Sequence, residues 1–244
     1  MTRERSSRGP TESPEGTTYV DHGGAGSSRR SQVVLAVLAK APVPGRVKTR
    51  LCPPCSPTEA ALLARAALED TLEAVLRTTG TRPVVVLDGE AGDWLPPGVP
   101  VVAQRAGDLA ERLQGALDDL GGPVIVVGMD TPQLTPVLLA GAADALLAPG
   151  VDAVLGPAAD GGYWSIGVRG PCPDLFAGVP MSVDTTARDQ RARMRSLGLH
   201  WTELAQLRDV DGIADAREVA LATPGSRFAR ALHGFHHLEH GRAT

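Results

Sequence analysis

From residue 32 onward the chain alternates short apolar runs with longer stretches of helical periodicity, and this alternation limits the possible folds more than any other feature. It is typical of repeated βα units, which build a largely parallel sheet. The sequence therefore predicts an α/β fold, a single doubly wound domain of residues 32–244 with helices on both faces of the sheet. We expect strands over residues 33–39, 83–87, 99–103, 124–128, 153–157 and 163–168, and a short one near residue 200.

Boundary residues indicate the helices between these strands. Ser56 is a capping residue, Pro57 suits the first helical position, and Glu59 stands three residues after the cap, where it completes a capping box. A helix is predicted from there to about residue 77. Apolar spacing and end signals predict further helices over residues 108–120, from 135, over 184–197 and over 226–238.

Composition excludes several classes of protein. Residues 1–31 contain almost no aliphatic side chains, so burial would not offset their chain entropy, and we expect a disordered tail. The net charge of −4 and the three Trp, two Tyr and three Phe argue against a nucleic-acid partner. No apolar run reaches the roughly 20 residues of a membrane span. Three cysteines make no disulfide framework, so we expect a cytoplasmic protein, either monomer or homodimer.

The loop after the first predicted strand is strongly basic. It holds Lys40, Arg46, Lys48 and Arg50 within eleven residues, together with Gly45, and it contains both lysines of the chain. Ligands of parallel sheets bind beyond the carboxyl ends of the strands, and clustered cations there suit a polyphosphate. The spacing differs from that of the GxxxxGK[ST] loop. A solvated basic turn is the alternative.

Two aspartates follow other predicted strands. Asp130 comes directly after the strand at 124–128, and Asp211 follows the short strand near residue 200. Carboxylates from two loops are typical ligands of Mg²⁺ or Mn²⁺ when substrate phosphates complete the coordination. The alternative for Asp130, taken as a single residue, is an ordinary turn or helix-cap aspartate.

Two glycine-containing segments are further candidates. Asp160 precedes the pair Gly161 and Gly162, where a ligand can approach the backbone closely, although a plain Asp-Gly hairpin explains the pair equally well. Gln104 and Gly107 lie between a strand and a helix, where the amide suits a base edge and the glycine admits the ligand. The alternative for this second segment is a simple helix start.

The pair Cys52 and Cys55 has the spacing of a redox motif. It follows a basic loop, however, and does not open a thioredoxin-like helix. No further zinc ligands stand nearby in the sequence. We expect no catalytic or metal-binding role for these cysteines.

Taken together, the segments AKAPVPGRVKTRL, GMDTPQL, GPAADGGYWSIGV, SVDTT and DVDG resemble a bacterial family of GT-A-type transferases, over about residues 33–219. The family is often labelled glycosyltransferase-like or radical-SAM/selenodomain-associated transferase. It is similar in fold to the guanylyltransferases of molybdenum and deazaflavin cofactor synthesis. The resemblance implies a GT-A, nucleotide-diphospho-sugar transferase-like domain.

The resemblance also implies roles for individual residues. The nucleotide phosphates would lie on the basic loop, and Asp130 and Asp211 would hold the metal. The acceptor side would be lined by Asp160, Gly161, Gly162, Tyr163 and Asp184.

From these features we expect a metal-dependent nucleotidyltransferase that moves a nucleotidyl group from an NTP to a small phosphorylated or carboxylated acceptor. Lys48, Arg46 and Asp130 are the expected catalytic residues, because cations neutralise the charge that develops on the transferred group. Glycosyl transfer from a nucleotide-sugar is the alternative. A non-catalytic nucleotide-binding protein is the third possibility.

Overall fold

The computed structural model describes residues 32–235 and 237. The predicted tail at residues 1–31 lies outside the described residues, as does the end of the last predicted helix. The strands are β1 (Val33–Lys40), β2 (Thr81–Asp88), β3 (Val101–Ala103), β4 (Val124–Gly128), β5 (Ala153–Pro157), β6 (Tyr163–Val168) and β7 (Trp201–Glu203). The helices are α1 (Pro57–Leu76), α2 (Leu109–Leu120), α3 (Pro136–Leu147), α4 (Thr186–Ser196), α5 (Ile213–Ala222) and α6 (Arg227–His233), with a 3₁₀ turn over Thr49–Leu51.

The seven strands form one sheet in the order β3-β2-β1-β4-β6-β5-β7. All neighbouring pairs are parallel except those of β6, which runs antiparallel to both β4 and β5. The predicted, mostly parallel α/β sheet is therefore confirmed. Because β1, β4, β5 and β7 run in the same direction, the loops that follow them lie along one edge of the sheet.

Both faces of the sheet are buried, which explains why the central strands are almost continuously apolar. Along β1, Val33, Leu35 and Val37 pack with α1 and α3 on one face, whereas Val34 and Ala36 pack with α2 and α4 on the other. Successive side chains of a strand point to opposite faces, so each face takes every second residue. Helices α5 and α6 cover the outer side of α1, where Phe228 is fully buried.

The helix boundaries follow the cap signals where side-chain caps exist. Ser56 and Asp108 both form complete capping boxes, at α1 and α2. Helix α4 begins two residues later than predicted, at Thr186, and its N-cap Thr185 forms no side-chain cap bond. Helix α5 was not predicted from the sequence, because its N-cap is Gly212, which offers no side-chain signal. In the part of the chain that the structure describes, no helix is long and apolar enough to cross a membrane.

Candidate active site

Two adjoining cavities open at the edge where β1, β4, β5 and β7 end. The basic cavity, of about 300 Å³, is lined by Lys40, Arg46, Val47, Lys48, Thr49, Arg50, Ala64, Met129, Asp130, Ser182 and Asp211. The acidic cavity, of about 430 Å³, is lined by Arg50, Leu109, Asp130, Asp160, Gly162, Tyr163, Met181, Ser182, Val183, Asp184, Thr186, Asp209 and Asp211. The two cavities share Arg50, Asp130, Ser182 and Asp211, so they form one cleft. Basic side chains line one end of this cleft, and acidic side chains line the other.

The loop after β1 brings its four predicted cations together in the basic cavity. Buried Val47 anchors the loop, and Gly45 allows its turn with a φ of 76°, a left-handed conformation that favours glycine. Lys48 also has a positive φ, 49°, which is uncommon for a residue with a side chain. Such strained residues persist where the surrounding structure holds them. Here the carbonyl of Lys48 accepts from Leu51 N at 2.9 Å and closes the 3₁₀ turn.

Lys48 does not project freely into the cavity. Its Nζ lies 2.8 Å from Oδ2 of Asp130 and 4.0 Å from Oδ1 of Asp211, and it donates to the carbonyl of Val210. The side chain is only 7% exposed. Arg50, by contrast, is mostly exposed and reaches Oδ2 of Asp211 at 2.6 Å. In this structure Lys48 and Arg50 therefore bind carboxylates, whereas Lys40 and Arg46 are exposed.

Backbone and side-chain hydrogen bonds fasten the segment after β7 onto the turn after β4. Val210 N donates to the carbonyl of Asp130 at 3.2 Å, and Gln133 Nε2 donates to the carbonyl of Arg208 at 2.8 Å. These bonds explain why Asp211, some 80 residues further along the chain, lies beside Asp130. The structure thus brings these two aspartates together at the border of the two cavities.

Asp209 is a residue of this site that the sequence analysis missed. It is half-buried, accepts from Thr131 Oγ1 at 3.1 Å, and lines the acidic cavity. Burial, followed by the neighbouring charges of Asp130 and Asp160, raises the pKa of Asp209 to about 7. The sequence signal for Asp209 was its position two residues before Asp211, because alternate residues of an extended segment point to the same side.

The acidic cavity has one charged wall and one apolar wall. Five aspartates line it; Arg50, which also lines it, contacts Asp211, and the Lys48 ammonium contacts Asp130. The apolar wall includes Tyr163 and Met181, whose Oη and Sδ atoms lie 3.5 Å apart. Burial raises the pKa of the Tyr163 hydroxyl, so it stays protonated. The predicted acceptor-side residues Asp160, Gly162, Tyr163 and Asp184 all line this cavity, whereas Gly161 is not among its lining residues.

Gln104 and Gly107 are not among the residues that line the cleft. The Gln104 amide donates to the carbonyls of Ala39, at 2.7 Å, and Val86, at 3.0 Å. The lack of a side chain on Gly107 leaves room for Glu111 in the capping box of α2. A further side cavity, of about 420 Å³, adjoins the basic cavity through Lys40 and Arg46, and its lining is completed by Ala41, Val43, Asp88, Gly89 and Glu90.

The donor set of Asp130 and Asp211 suits a hard divalent cation only in part. Within the described residues, no group of three or more His, Cys, Asp or Glu side chains is arranged to hold a metal ion. Mg²⁺ commonly takes one or two carboxylates and completes its shell with substrate phosphates and water. Two aspartates at the border with a basic cavity fit such a phosphate-assisted ion.

A family profile described as "Uncharacterized protein conserved in bacteria (DUF2064)" matches residues 62–183, which is half of the chain. The chain belongs to this family. The matched segment contains Asp130, Asp160 and Tyr163, whereas the basic loop and Asp211 lie outside it. A comparison with curated protein sequences finds no match.

Solved structures of transferases share the fold. A candidate nucleotide-diphospho-sugar transferase from Desulfovibrio desulfuricans G20 is 29% identical, with a TM-score of 0.75 over 84% of this chain and 96% of that one. A nucleotidyl transferase from Methanothermobacter thermautotroptrophicus is 19% identical, with a TM-score of 0.52 over 81% and 98% of the two chains. A cytidylyltransferase from Leptospira borgpetersenii is 15% identical, with a TM-score of 0.50 over 83% and 93%. The predicted nucleotide-diphospho-sugar transferase-like, GT-A-type fold is thus confirmed.

Proposed function

We propose that this protein is a metal-dependent transferase that takes a nucleotide-activated donor and delivers part of it to a small acceptor. The observation that carries the proposal is the shared border of the two cavities. Asp130 and Asp211 line both the basic and the acidic cavity. A donor that lies across this border places its phosphates among cations and its transferred group among carboxylates.

The donor's phosphates fit the basic cavity. Lys40 and Arg46 are exposed there, and no carboxylate among residues 32–235 forms an ion pair with them, so they are ready to bind phosphate oxygens. The nucleoside would then occupy the side cavity, which adjoins the basic cavity through these same two residues. Glu90 offers acceptors there for ribose hydroxyls or base amino groups, as does the second oxygen of Asp88, whose Oδ2 accepts from Arg112 at 2.8 Å.

Asp130 and Asp211 would hold Mg²⁺ or Mn²⁺ together with the donor phosphates. Such an ion neutralises the charge that builds up on the departing phosphate. Arg46 and Lys40 would stabilise the same charge from the protein side.

The charge of the acidic cavity favours glycosyl transfer over the nucleotidyl transfer that the sequence favours. Carboxylates accept hydrogen bonds from sugar hydroxyls, but they repel a phosphorylated or carboxylated acceptor. In glycosyl transfer, an acceptor hydroxyl attacks the anomeric carbon and gives its proton to a carboxylate of the cavity. The bond to the donor phosphate breaks, and a nucleoside diphosphate leaves. The name of the D. desulfuricans relative agrees with this choice.

Nucleotidyl transfer remains the second candidate because of one observation. Four cationic side chains line a single cavity, which is enough charge for the triphosphate of an NTP. An acceptor oxygen would then attack the α-phosphate, and pyrophosphate would leave.

Thermal shift and calorimetry against the four NTPs and against UDP-, GDP-, CDP- and dTDP-sugars, each with and without Mg²⁺, test the proposal. Ligand at about 100 times its Kd adds roughly 2.7 kcal/mol to the stability. We expect a Mg²⁺-dependent shift with a nucleotide-sugar, abolished in Asp130→Asn. A shift with an NTP alone would favour nucleotidyl transfer. Binding without turnover in any acceptor mixture would indicate a non-catalytic nucleotide-binding protein.

A further inference from the structure

We propose that Lys48 is an internal counter-ion that occupies the metal carboxylates until metal and donor phosphate arrive together. Through this exchange, metal binding and donor binding become coupled. The donor half of this inference rests on the proposed function, whereas the metal half rests only on Asp130, Asp211 and Lys48.

The ammonium of Lys48 makes the contacts that a cation bound by these aspartates would make. Its ammonium lies 2.8 Å from Asp130 and 4.0 Å from Asp211, and it is the donor to the carbonyl of Val210. Only 7% of the side chain is exposed, so water does little to screen the charge. The backbone holds it in place, since the carbonyl of Lys48 accepts from Leu51 N at the start of the 3₁₀ turn and Leu51 is fully buried.

A divalent ion and this ammonium repel each other when both stand on the Asp130 carboxylate. An ion bound by Asp130 and Asp211 would stand next to a positive charge that is itself 2.8 Å from Asp130 Oδ2. Release of Lys48 from Asp130 therefore favours binding of the ion. If nothing receives it, a nearly buried ammonium loses its partner, and such a loss is costly.

A donor phosphate provides the new partner. Lys48 also lines the basic cavity, so a small rotation of its side chain reaches a phosphate bound near Arg46. Metal alone then binds weakly, because it displaces a cation that has nowhere to go. Phosphate alone gains little from Lys48, which stays on Asp130. With both present, the ion takes the carboxylates and Lys48 takes the phosphate.

Arg50 provides a matched comparison on the same site. It contacts Asp211 at 2.6 Å, but 67% of its side chain is exposed. An exposed guanidinium can move into water, and exposed ion pairs contribute little. The inference therefore assigns the coupling to Lys48 and not to Arg50.

The first test measures Mn²⁺ binding without nucleotide, by electron paramagnetic resonance and calorimetry. We expect Lys48→Met to bind Mn²⁺ about tenfold more tightly than the unaltered protein, because removal of one close like charge is worth about that much. Arg50→Met should change the affinity by no more than about twofold. Asp130→Asn should abolish Mn²⁺ binding both in the otherwise unaltered protein and when it is combined with Lys48→Met. This result would identify Asp130 as part of the Mn²⁺ site.

The second test uses the nucleoside diphosphate, among UDP, GDP, CDP and dTDP, that gives the largest thermal shift. In EDTA, Lys48→Met should bind it as tightly as the unaltered protein does. With Mn²⁺ present, the same variant should bind it about tenfold more weakly, since the phosphate then lacks its lysine. A merely structural lysine would not weaken one ligand while it strengthens the binding of the other.

Unchanged or weaker Mn²⁺ binding in folded Lys48→Met, and equally in Lys48→Gln, would overturn the proposal. Circular dichroism and thermal unfolding establish that each variant is folded. If none of the nucleotides binds, the proposed function fails, but the Mn²⁺ comparison still decides the role of Lys48.

Discussion

The backbones of Gly161 and Asp184 are in direct contact: a Cβ atom on Gly161 would lie 1.9 Å from the carbonyl oxygen of Asp184. Ala187 N also donates to the carbonyl of Gly161 at 2.9 Å. These contacts join the tip of the β5–β6 hairpin to the start of α4. They place Asp160 and Asp184 on the wall of one cavity. Gly161 therefore serves loop packing, whereas Gly162 lines the acidic cavity.

Gly161→Ala should destabilise the protein by roughly 3 kcal/mol or more, since the new methyl group meets backbone that cannot turn aside. Its φ of 90° adds strain. Gly80→Ala is the matched control, with a φ of 78° and no atom within 4 Å of the new carbon. We expect a cost of only about 1 kcal/mol for the control. Urea unfolding measures both, and equal losses would show that the contact with Asp184 is unimportant.

Much of the fold follows from local sequence. The central strands are apolar over their whole length, and the caps at Ser56 and Asp108 involve only neighbouring residues, so both were predictable. The antiparallel direction of β6 followed only from the alternative interpretation of the Asp-Gly pair as a hairpin turn. That interpretation was not decisive, because Asp-Gly turns also occur in loops. Helix α5 was missed because its glycine cap carries no signal.

The sequence singled out many of the residues that line the cleft, but their contacts depend on the fold. The basic loop and the aspartates after the strands were identified from their positions along the chain. The burial of Lys48 against Asp130 was not, since it depends on a segment some 160 residues away. Gln104 has the right place in sequence for a nucleotide contact, yet its amide is used to bridge the carbonyls of Ala39 and Val86. Side-chain partners of this kind cannot be read from strand and helix periodicity.

Asp160→Asn should weaken the binding of a nucleotide-sugar without weakening the binding of the nucleoside diphosphate alone. Under glycosyl transfer the sugar lies in the acidic cavity, so the variant should bind the nucleotide-sugar roughly tenfold more weakly, through loss of a charged hydrogen-bond acceptor. Its affinity for the nucleoside diphosphate should not change. The amide oxygen can still accept from Gly162 N, which holds the turn. Calorimetry measures both ligands, with exposed Asp144→Asn as the control. A similar loss for both ligands would place the nucleotide, and not the sugar, beside Asp160.

Asp209 should make the metal-free protein less stable as the pH rises. Its pKa is about 7 in the folded chain against an ordinary value of 3.8, so the folded state binds the proton more tightly. The stabilisation of the folded state by the protonated Asp209 is complete below about pH 4. It decreases as the pH approaches 7, and the total loss amounts to up to roughly 4 kcal/mol. In EDTA, Asp209→Asn should therefore gain stability relative to the unaltered protein between pH 4.5 and 8. Thermal unfolding across this range checks the trend, and parallel curves for the two proteins would contradict it.

Cys55 should be unreactive in the folded protein despite the redox spacing of Cys52 and Cys55. Burial is the main cause that raises the pKa of the Cys55 thiol to about 11, and the neighbouring Cys52 adds to it. Only the thiolate is nucleophilic, so about one molecule in a thousand is competent at pH 8. Iodoacetamide labelling, followed by mass spectrometry, should modify Cys55 far more slowly in the folded than in the urea-unfolded chain. Between pH 8 and 10 the labelling rate should rise about tenfold per pH unit. Rapid labelling at pH 8, or a disulfide that forms readily with Cys52, would instead point to a redox role for the turn that follows the basic loop.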